Sequence, residues 1–342
     1  MTKKKRIILI SSIASGVVVL SVTFGTLGGL VFNRISRGIT PTDADLQYVK
    51  DNHYVYDHVV VFGVDGAGGF IKDVDTPNFD RIFDGGSITY DGLAQYKTES
   101  AQNWGSMIHG VRSCKHGLDN DLAGKQKYTD TKYPSYFKVY GERHPDTYMV
   151  AINDWETVNY GIIEDNIPGM KKMNGGDYAS QETKSKFWVE AEREIDQRVS
   201  ELVIDEIDND PKLIFMHFDA VDSAGHTYGS KSEQYRESIR YIDGLMGNIY
   251  DAMVNDGWKE NTLFICVTDH GHKPDGGHGF NSRAVRYVTC AVNGHKGNVI
   301  AGEMGYYVTQ DMAPIVLYAL GEKQPESWDG SVPKNIFKGL KG

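Results

Sequence analysis

Cysteine and positive charge are both scarce in this chain. Its 342 residues include three cysteines, and 36 Lys and Arg against 46 Asp and Glu give a net charge of −10. An odd number of cysteines leaves at least one unpaired, so the sequence does not imply a disulfide framework. An acidic body argues against nucleic-acid binding, because phosphate backbones require a positive surface. Internal repeats and low-complexity segments are also absent.

The N-terminus carries a concentration of positive charge. Residues 3–6 are Lys-Lys-Lys-Arg, and residues 7–32 have no charged side chain. A run of that length can cross a hydrocarbon core of about 30 Å, and no A-x-A-like cleavage site ends it. We therefore predict a cytoplasmic tail at 1–6 and a single-pass signal anchor at 7–32, with the remainder outside the cell. Secretion after cleavage of a signal peptide is the alternative.

Residues 33–55 are predicted to be a linker, and residues 56–342 a single catalytic domain. Without the four positive charges at residues 3–6, the net charge of −10 becomes −14 for residues 33–342. Strand-like runs occur at 58–64, 147–152, 212–218, 262–268 and 286–292. They alternate with helical patterns, the clearest of which begins near Ser232. This alternation predicts an α/β three-layer sandwich with a mostly parallel central sheet. Residues 155–187 fit neither period and are predicted to form a cap over a cleft.

Acidic and imidazole side chains follow several apolar runs at the point where each run ends. Asp65 follows residues 58–64, Asp222 and His226 follow residues 212–218, and Asp269 and His270 follow residues 262–268. In open α/β sheets, ligands bind at the edge formed by the carboxyl ends of the strands. Buried carboxylates and imidazoles are costly to desolvate unless a partner compensates them, and a divalent metal ion would do so.

Two sets of side chains could hold two metal ions. The first set is Asp65, Ser100, Asp269 and His270. The second set is Asp222, His226 and His278. Mixed His/Asp sites suit catalytic zinc and also accept manganese or iron. Two ions about 4 Å apart can stabilise both the attacking and the leaving oxygen of a phosphoryl displacement.

Ser100 is the predicted nucleophile. A serine hydroxyl attacks poorly unless a metal or a base activates it, and the start of a helix favours an anion. A helix N-cap is the structural role that Ser100 could fill as well. Asn103 lies one turn further along and could donate to a phosphoryl oxygen.

Several neighbouring residues compete for a role in the predicted site. Asp219 competes with Asp222, which alone has the spacing to His226. His217 follows apolar residues and is interpreted as a core histidine. His272 is interpreted as a loop residue or as one that supports a ligand.

Together these motifs resemble the alkaline phosphatase superfamily, and most of all its type I phosphodiesterase/nucleotide pyrophosphatase branch. That branch has an Asp after its first strand, matched by Asp65, and a Thr or Ser nucleophile three residues before an Asn, matched by Ser100. It also has Asp-x-x-Gly-His and Asp-His-Gly elements, which begin here at Asp222 and Asp269. The pair His278-Gly279 is similar to that of the membrane ethanolamine-phosphate transferases. The resemblance covers residues 58–291.

The resemblance implies a metal-dependent hydrolase of phosphodiester or pyrophosphate bonds that forms a phosphoryl-Ser100 intermediate. Its substrate would be a small phosphoester or the head group of a lipid or polymer. Glu99-Ser100-Ala101 resembles the nucleophile region of alkaline phosphatases, which leaves a phosphomonoesterase open. A phosphoethanolamine- or glycerophosphate-type transferase is also open, as is a non-catalytic surface protein. The Pro and Arg of a sulfatase signature do not follow Ser100, which argues against a sulfatase.

Overall fold

A computed structural model describes residues 38–125, 128, 132–279 and 281–342. The predicted tail and signal anchor therefore lie outside the described residues. Within the described ranges, no helix is both long and apolar enough to cross a membrane.

A single eight-stranded sheet forms the centre of the domain. Its strands are β1 (His58–Val64), β2 (Ser87–Leu93), β3 (Met149–Asn153), β4 (Met170–Asn174), β5 (Leu213–Phe218), β6 (Thr262–Thr268), β7 (Tyr287–Gly294) and β8 (Gly302–Glu303). The spatial order is β4-β3-β5-β1-β6-β7-β2-β8. Neighbours from β4 to β6 pair in parallel, β7 is antiparallel to both β6 and β2, and β8 is parallel to β2.

Helices cover both faces of this sheet because its central strands are apolar on both sides. In β1, Val59 and Val61 pack into one hydrophobic cluster, and Val60 and Phe62 pack into another. Successive side chains of a strand point to opposite faces, so an uninterrupted apolar run requires a core on each face.

Twelve α-helices lie within the described residues. They are α1 (Asp43–Asp51), α2 (Pro77–Phe83), α3 (Ser100–His109), α4 (Ser113–His116), α5 (Asn120–Ala123), α6 (Tyr136–Arg143), α7 (Gln181–Lys184), α8 (Trp188–Glu206), α9 (Ala220–Tyr228), α10 (Glu233–Asn255), α11 (Arg283–Arg286) and α12 (Met312–Ala319). Helix α10 is the one whose periodicity is clearest in the sequence. The Ser232 hydroxyl accepts the Tyr235 N–H and caps its first turn.

The prediction of a mixed α/β fold with a large central sheet is confirmed, and β1 and β6 have the predicted bounds. Strands β2, β4 and β8 were not predicted. Strand β4 reads Met-Lys-Lys-Met-Asn, and among the described strands it pairs only with β3; as an edge strand it shows no apolar run. Residues 155–187 contribute this edge strand, and their predicted action as a cap stays a prediction.

Candidate metal centre

Three neighbouring strands bring the predicted acids together. Strands β5, β1 and β6 are adjacent in the sheet, and Asp65 and Asp269 directly follow β1 and β6. Asp222 lies in the first turn of α9, which begins two residues after β5. The turn after Asp65 requires glycine, because Gly66 has φ of +71° and a Cβ there would lie 2.7 Å from the Asp222 Cα. The close approach of the two segments thus depends on the absence of a side chain.

Asp65 is almost completely buried, and one of its two carboxylate oxygens contacts hydrogen-bonding side chains of the protein. The Trp104 indole N–H donates to Asp65 Oδ2 over 2.8 Å, and His217 Nε2 lies 2.9 Å from the same oxygen. The other oxygen, Oδ1, is buried and has no hydrogen-bond partner among the described residues. Asp65 Oδ1 is therefore the oxygen left for a further ligand.

Asp269 repeats this division between its two carboxylate oxygens. The main-chain N–H groups of Gly66 and His270 both donate to Asp269 Oδ1, over 3.0 and 2.7 Å. Asp269 Oδ2 is buried, accepts no hydrogen bond from the part of the chain that the structure describes, and lies 3.2 Å from His270 Nε2. His270 Nε2 also lies 3.5 Å from Asp65 Oδ1 and 3.1 Å from the Ser100 hydroxyl. The four side chains of the first set thus converge on one point.

The second set converges in the same way. His226 Nε2 lies 3.4 Å from Asp222 Oδ2 and 3.0 Å from His278 Nε2. His278 Nδ1 contacts the Thr98 carbonyl oxygen, and the Gly279 N–H donates to the Thr98 hydroxyl over 2.8 Å. Since a carbonyl only accepts, Nδ1 carries the hydrogen and His278 Nε2 keeps its lone pair for a ligand.

The separations from one imidazole nitrogen in each set, His270 Nε2 and His226 Nε2, are close to the spacing of ligands around one ion, and His278 Nε2 lies 3.9 Å from Asp222 Oδ1. Two ligand atoms that each lie about 2.0–2.1 Å from a tetrahedral zinc ion are roughly 3.3 Å apart. The three separations from His270 Nε2 span 3.1 to 3.5 Å, and those from His226 Nε2 are 3.0 and 3.4 Å. Two buried oxygens, one on Asp65 and one on Asp269, have no hydrogen-bond partner within the described ranges, which is an independent indication of a metal ion. Both sets therefore fit a divalent metal ion.

The electrostatics of the carboxylates point the same way. Burial and the neighbouring carboxylate of Asp65 raise the pKa of Asp222 to about 7. Burial, with Asp65 and Asp222 nearby, raises the pKa of Asp269 well above its ordinary value. Burial also acts to raise the pKa of Asp65, but the hydrogen bond from His217 and the nearby His270 outweigh it and lower that pKa. Crowded buried carboxylates of this kind are stabilised in their ionised form by a cation.

Ser100 is the first residue of α3, and Glu99 rather than Ser100 is its N-cap. The Ser100 hydroxyl faces His270, so the capping alternative does not apply. Asn103 accepts the Gln95 N–H at Oδ1 and donates from Nδ2 to the Glu99 carbonyl. It therefore fastens the loop before the nucleophile, and its predicted donation to a phosphoryl oxygen stays a prediction.

Asn120 is a residue that the sequence did not single out. Its Oδ1 accepts the Ala101 N–H at the start of α3, and its side chain lines the cavity beside Ser100. Nothing in the surrounding Leu-Asp-Asn-Asp sequence distinguishes it from an ordinary loop asparagine. It comes close to the nucleophile only because the chain folds back against the N-terminus of α3.

A cavity of about 510 Å³ opens beside the two sets of ligands. Its carboxylates, apart from the predicted ligands, are Asp154, Glu156, Asp177, Glu192 and Asp219. Among the described residues that line it, Lys184 is the only Lys or Arg. The indoles of Trp155 and Trp188 also face the cavity, and the Trp188 ring stacks on His226 with centroids 5.7 Å apart. The cavity is therefore acidic and partly aromatic.

Comparisons with known proteins identify relatives of this chain. The chain is 33% identical over 99 residues to GPI ethanolamine phosphate transferase 2 of Aspergillus fumigatus, an alignment that covers 29% of this chain and 13% of that protein. It is 25% identical over 213 residues to ectonucleotide pyrophosphatase/phosphodiesterase family member 7 of Homo sapiens, covering 58% and 44%. The chain thus spans less than half of either relative.

One solved structure with a similar fold is human ectonucleotide pyrophosphatase/phosphodiesterase 5. It aligns with a TM-score of 0.62 and 13% identity over 82% of this chain and 99% of that one. Residues 59–309, which contain every predicted ligand, match the family described as type I phosphodiesterase / nucleotide pyrophosphatase. This chain therefore belongs to the type I phosphodiesterase/nucleotide pyrophosphatase family of the alkaline phosphatase superfamily.

Proposed function

We propose that the protein is a two-metal phosphodiesterase that cleaves its substrate through Ser100. The observation that carries this proposal is the convergence of Ser100, Asp65 and Asp269 within 3.1 to 3.5 Å of the Nε2 atom of His270. Bound divalent ions would lower the pKa of the serine hydroxyl and neutralise charge on the phosphoryl oxygens. Zinc is the proposed metal.

The chain's own residues supply the rest of the reaction. Ser100 Oγ attacks phosphorus, the P–O bond to the leaving alcohol breaks, and a phosphoserine ester forms. Water then attacks phosphorus, the bond to Ser100 Oγ breaks, and the serine hydroxyl is regenerated. Oγ also lies at the N-terminal end of α3, where main-chain N–H groups favour the anionic phosphoryl group.

The acidic cavity favours a diester over a monoester. A phosphomonoester is a dianion, and the only Lys or Arg among the described cavity residues is Lys184. A diester carries one negative charge and meets less repulsion from the acidic lining of the cavity, in which burial raises the pKa of Asp154 and of Asp219 well above the ordinary value. The same repulsion disfavours the binding of nucleoside di- and triphosphates with their additional phosphates inside this cavity.

We propose further that the ester group entering the cavity carries an ammonium. Carboxylates pair with a cation, and the faces of Trp155 and Trp188 attract one. The Trp188 indole N–H donates to Glu192 over 2.9 Å, which holds a ring and a carboxylate together at the cavity. The matched relative that is named an ethanolamine phosphate transferase acts, by its name, on a group of this chemistry.

Transfer to an alcohol acceptor remains the second candidate function. It uses the same phosphoserine, which an alcohol rather than water would cleave. The relative named a transferase and the predicted anchor both favour it, because a membrane enzyme can meet lipid donors and acceptors. We propose that the domain lies on the outer side of the membrane, held by residues 7–32.

The test is turnover by the full-length, zinc-loaded protein on three nitrophenyl esters. They are p-nitrophenyl phosphate, thymidine 5′-p-nitrophenyl phosphate and p-nitrophenyl phosphorylcholine. We expect kcat/KM to rise in that order and to vanish when a chelator removes the metal. Adding glycerol or ethanolamine separates transfer from hydrolysis by the product formed. A monoester preference above about tenfold, roughly 1.4 kcal/mol, would overturn the diester assignment.

A further inference from the structure

Two buried histidines contact the proposed metal ligands without belonging to either ligand set. His272 Nε2 lies 2.8 Å from Asp222 Oδ1, and His217 Nε2 lies 2.9 Å from Asp65 Oδ2. Both imidazoles are completely buried. Each could be a further metal ligand or a residue that holds a ligand in place, and the distances distinguish these roles.

The two distances are those of hydrogen bonds. Ligand atoms of one tetrahedral ion lie roughly 3.3 Å apart, whereas N–H···O⁻ bonds span about 2.7–2.9 Å. The separations from His226 to Asp222 Oδ2 and to His278 are 3.4 and 3.0 Å, in the range of shared ligands. His272 and His217 are closer to their carboxylates than these ligands are to one another.

The geometry points to His272 and His217 as positioning residues for the two metal ions. Each donates a hydrogen from Nε2 to one oxygen of an aspartate. Asp222 is thereby left with Oδ2 beside His226, and Asp65 is left with Oδ1 beside His270. This inference rests on the two-metal site of the proposed function and assigns one histidine to each ion.

The residues around both imidazole rings favour these hydrogen bonds to the aspartates. A Cβ on Gly225 would lie 2.3 Å from the His272 ring, so the glycine leaves the space that the imidazole fills. Asp65 Oδ2 also accepts the Trp104 indole N–H, and the Trp104 and His217 rings pack edge to face with centroids 5.1 Å apart. Because Asp65 Oδ2 already accepts two N–H donors, Oδ1 is the oxygen that remains for a metal ion.

The consequence is that each histidine should control the affinity of one ion and not of the other. Removing a donor that orients a ligand typically weakens metal binding by about 10–100-fold, through the loss of orientation and of ligand polarisation. A merely structural role would lower the stability of the fold and affect both ions alike. Selectivity between the two ions is therefore the measurement that distinguishes the roles.

The experiment uses full-length protein in two single-site backgrounds. His226→Ala removes a ligand of the second set and leaves the ion at Asp65. Asp269→Asn removes a ligand of the first set and leaves the ion at Asp222. In each background, His217 and His272 are replaced singly by Leu, which removes the donor, and by Gln, whose Nε2 amide restores one. The measurement is the Kd for Zn²⁺ alone, from competition with a chromogenic chelator.

We expect His272→Leu to raise Kd about 10–100-fold in the Asp269→Asn background and to leave it unchanged in the His226→Ala background. His217→Leu should show the reverse pattern, and both Gln variants should recover most of the affinity. Equal losses in both backgrounds, or no loss in either, would overturn the assignment. So would a complete loss of the ion at Asp222 with either replacement of His272, because that would make it a ligand. Failure of the wild-type protein to bind zinc would instead reject the proposed function.

Discussion

The imidazole of His272 fills the space that a side chain on Gly225 would need, since a Cβ on the glycine would lie 2.3 Å from Cδ2 of the ring. Gly225 is part of the Asp-x-x-Gly-His element, whose ends are the proposed ligands Asp222 and His226. The packing of His272 therefore explains why this position of the element is a glycine in this chain. The glycine lets the buried His272 ring reach Oδ1 of Asp222, while His226 lies beside Oδ2 of the same carboxylate.

Replacing Gly225 by Ala should displace the His272 ring and weaken zinc binding at the second set by about tenfold. Alanine ordinarily stabilises a helix by up to about 1 kcal/mol relative to glycine, so a loss here would be due to the clash. The matched control is Gly244→Ala in α10, where a Cβ would meet nothing within 4 Å. Chelator competition measures the affinity. Unchanged binding in Gly225→Ala would show that the ring moves without consequence.

Ser100→Ala should lower kcat by several orders of magnitude while leaving the thermal midpoint nearly unchanged. Ser100 is not the N-cap of α3 and its hydroxyl contacts only His270 among the hydrogen-bonding side chains described, so little stability depends on it. Stopped-flow turnover and calorimetry measure the two quantities. Trapping with ³²P-labelled diester should label the wild-type protein at Ser100. Near-normal turnover in the variant would mean that water attacks phosphorus directly.

Glu192→Gln should lower kcat/KM for p-nitrophenyl phosphorylcholine about fivefold, or ~1 kcal/mol, relative to methyl p-nitrophenyl phosphate. Glu192 lines the cavity and accepts the Trp188 indole N–H, so its charge would face an ammonium there. Glu190→Gln changes the same charge on the same helix but outside the cavity lining. Equal losses with both diesters would show that Glu192 does not recognise a cation.

His116 should remain neutral well below the usual range for histidine. Its Nδ1 accepts the Leu118 N–H over 3.0 Å, and burial, with His109 nearby, lowers its pKa to about 3 from an ordinary value of 6.5. Because the pKa of His116 is lower in the folded state, its contribution to the free energy of unfolding is complete above pH 6.5 and is lost as the pH falls towards 3.

NMR of the imidazole nitrogens checks this directly, and we expect no titration of His116 between pH 7 and about 4.5. His116→Gln should remove part of the decline in unfolding free energy over the same interval. A chelator is present with both proteins, so that protonation of the proposed metal ligands contributes equally to the two curves. Titration of His116 near its ordinary pKa would contradict the prediction.

The protein should fractionate with membranes, and protease added to intact cells should remove its domain. The reason is the uncharged run at 7–32 preceded by Lys3, Lys4, Lys5 and Arg6. A version without residues 1–32 is the control and should remain inside the cell. A mature N-terminus near residue 30 in the culture medium would show that a signal peptide is cleaved.

The sequence predicted the parts of the fold whose signal is local. Strands β1 and β6 are continuous apolar runs, and α10 has an unbroken apolar stripe with a serine cap, so pattern alone gives their bounds. Strand β2 was missed because it alternates polar residues and is irregular between Thr89 and Gly92. Its place in the sheet depends on pairing with β7, which no local pattern encodes.

The site shows the same contrast between local and non-local information. Asp65, Asp222 and Asp269 were selected because each follows an apolar run, and parallel pairing brings such strand ends together. The sequence interpretation of His217 as a core histidine is correct for its burial but does not include its contact with Asp65. That contact joins residues 152 positions apart. Asn120 was missed for the same reason.

The two proposed ions would not be equally robust to partial unfolding. Asp65, Asp269 and His270 directly follow the paired strands β1 and β6, so they can separate only if the centre of the sheet opens. His278 lies in a loop that is attached through Thr98 to the segment before the nucleophile. Local opening of loops requires much less free energy than global unfolding. Mild heat or denaturant should therefore release one equivalent of metal, together with a loosened nucleophile segment, before amide hydrogen exchange in β1 changes.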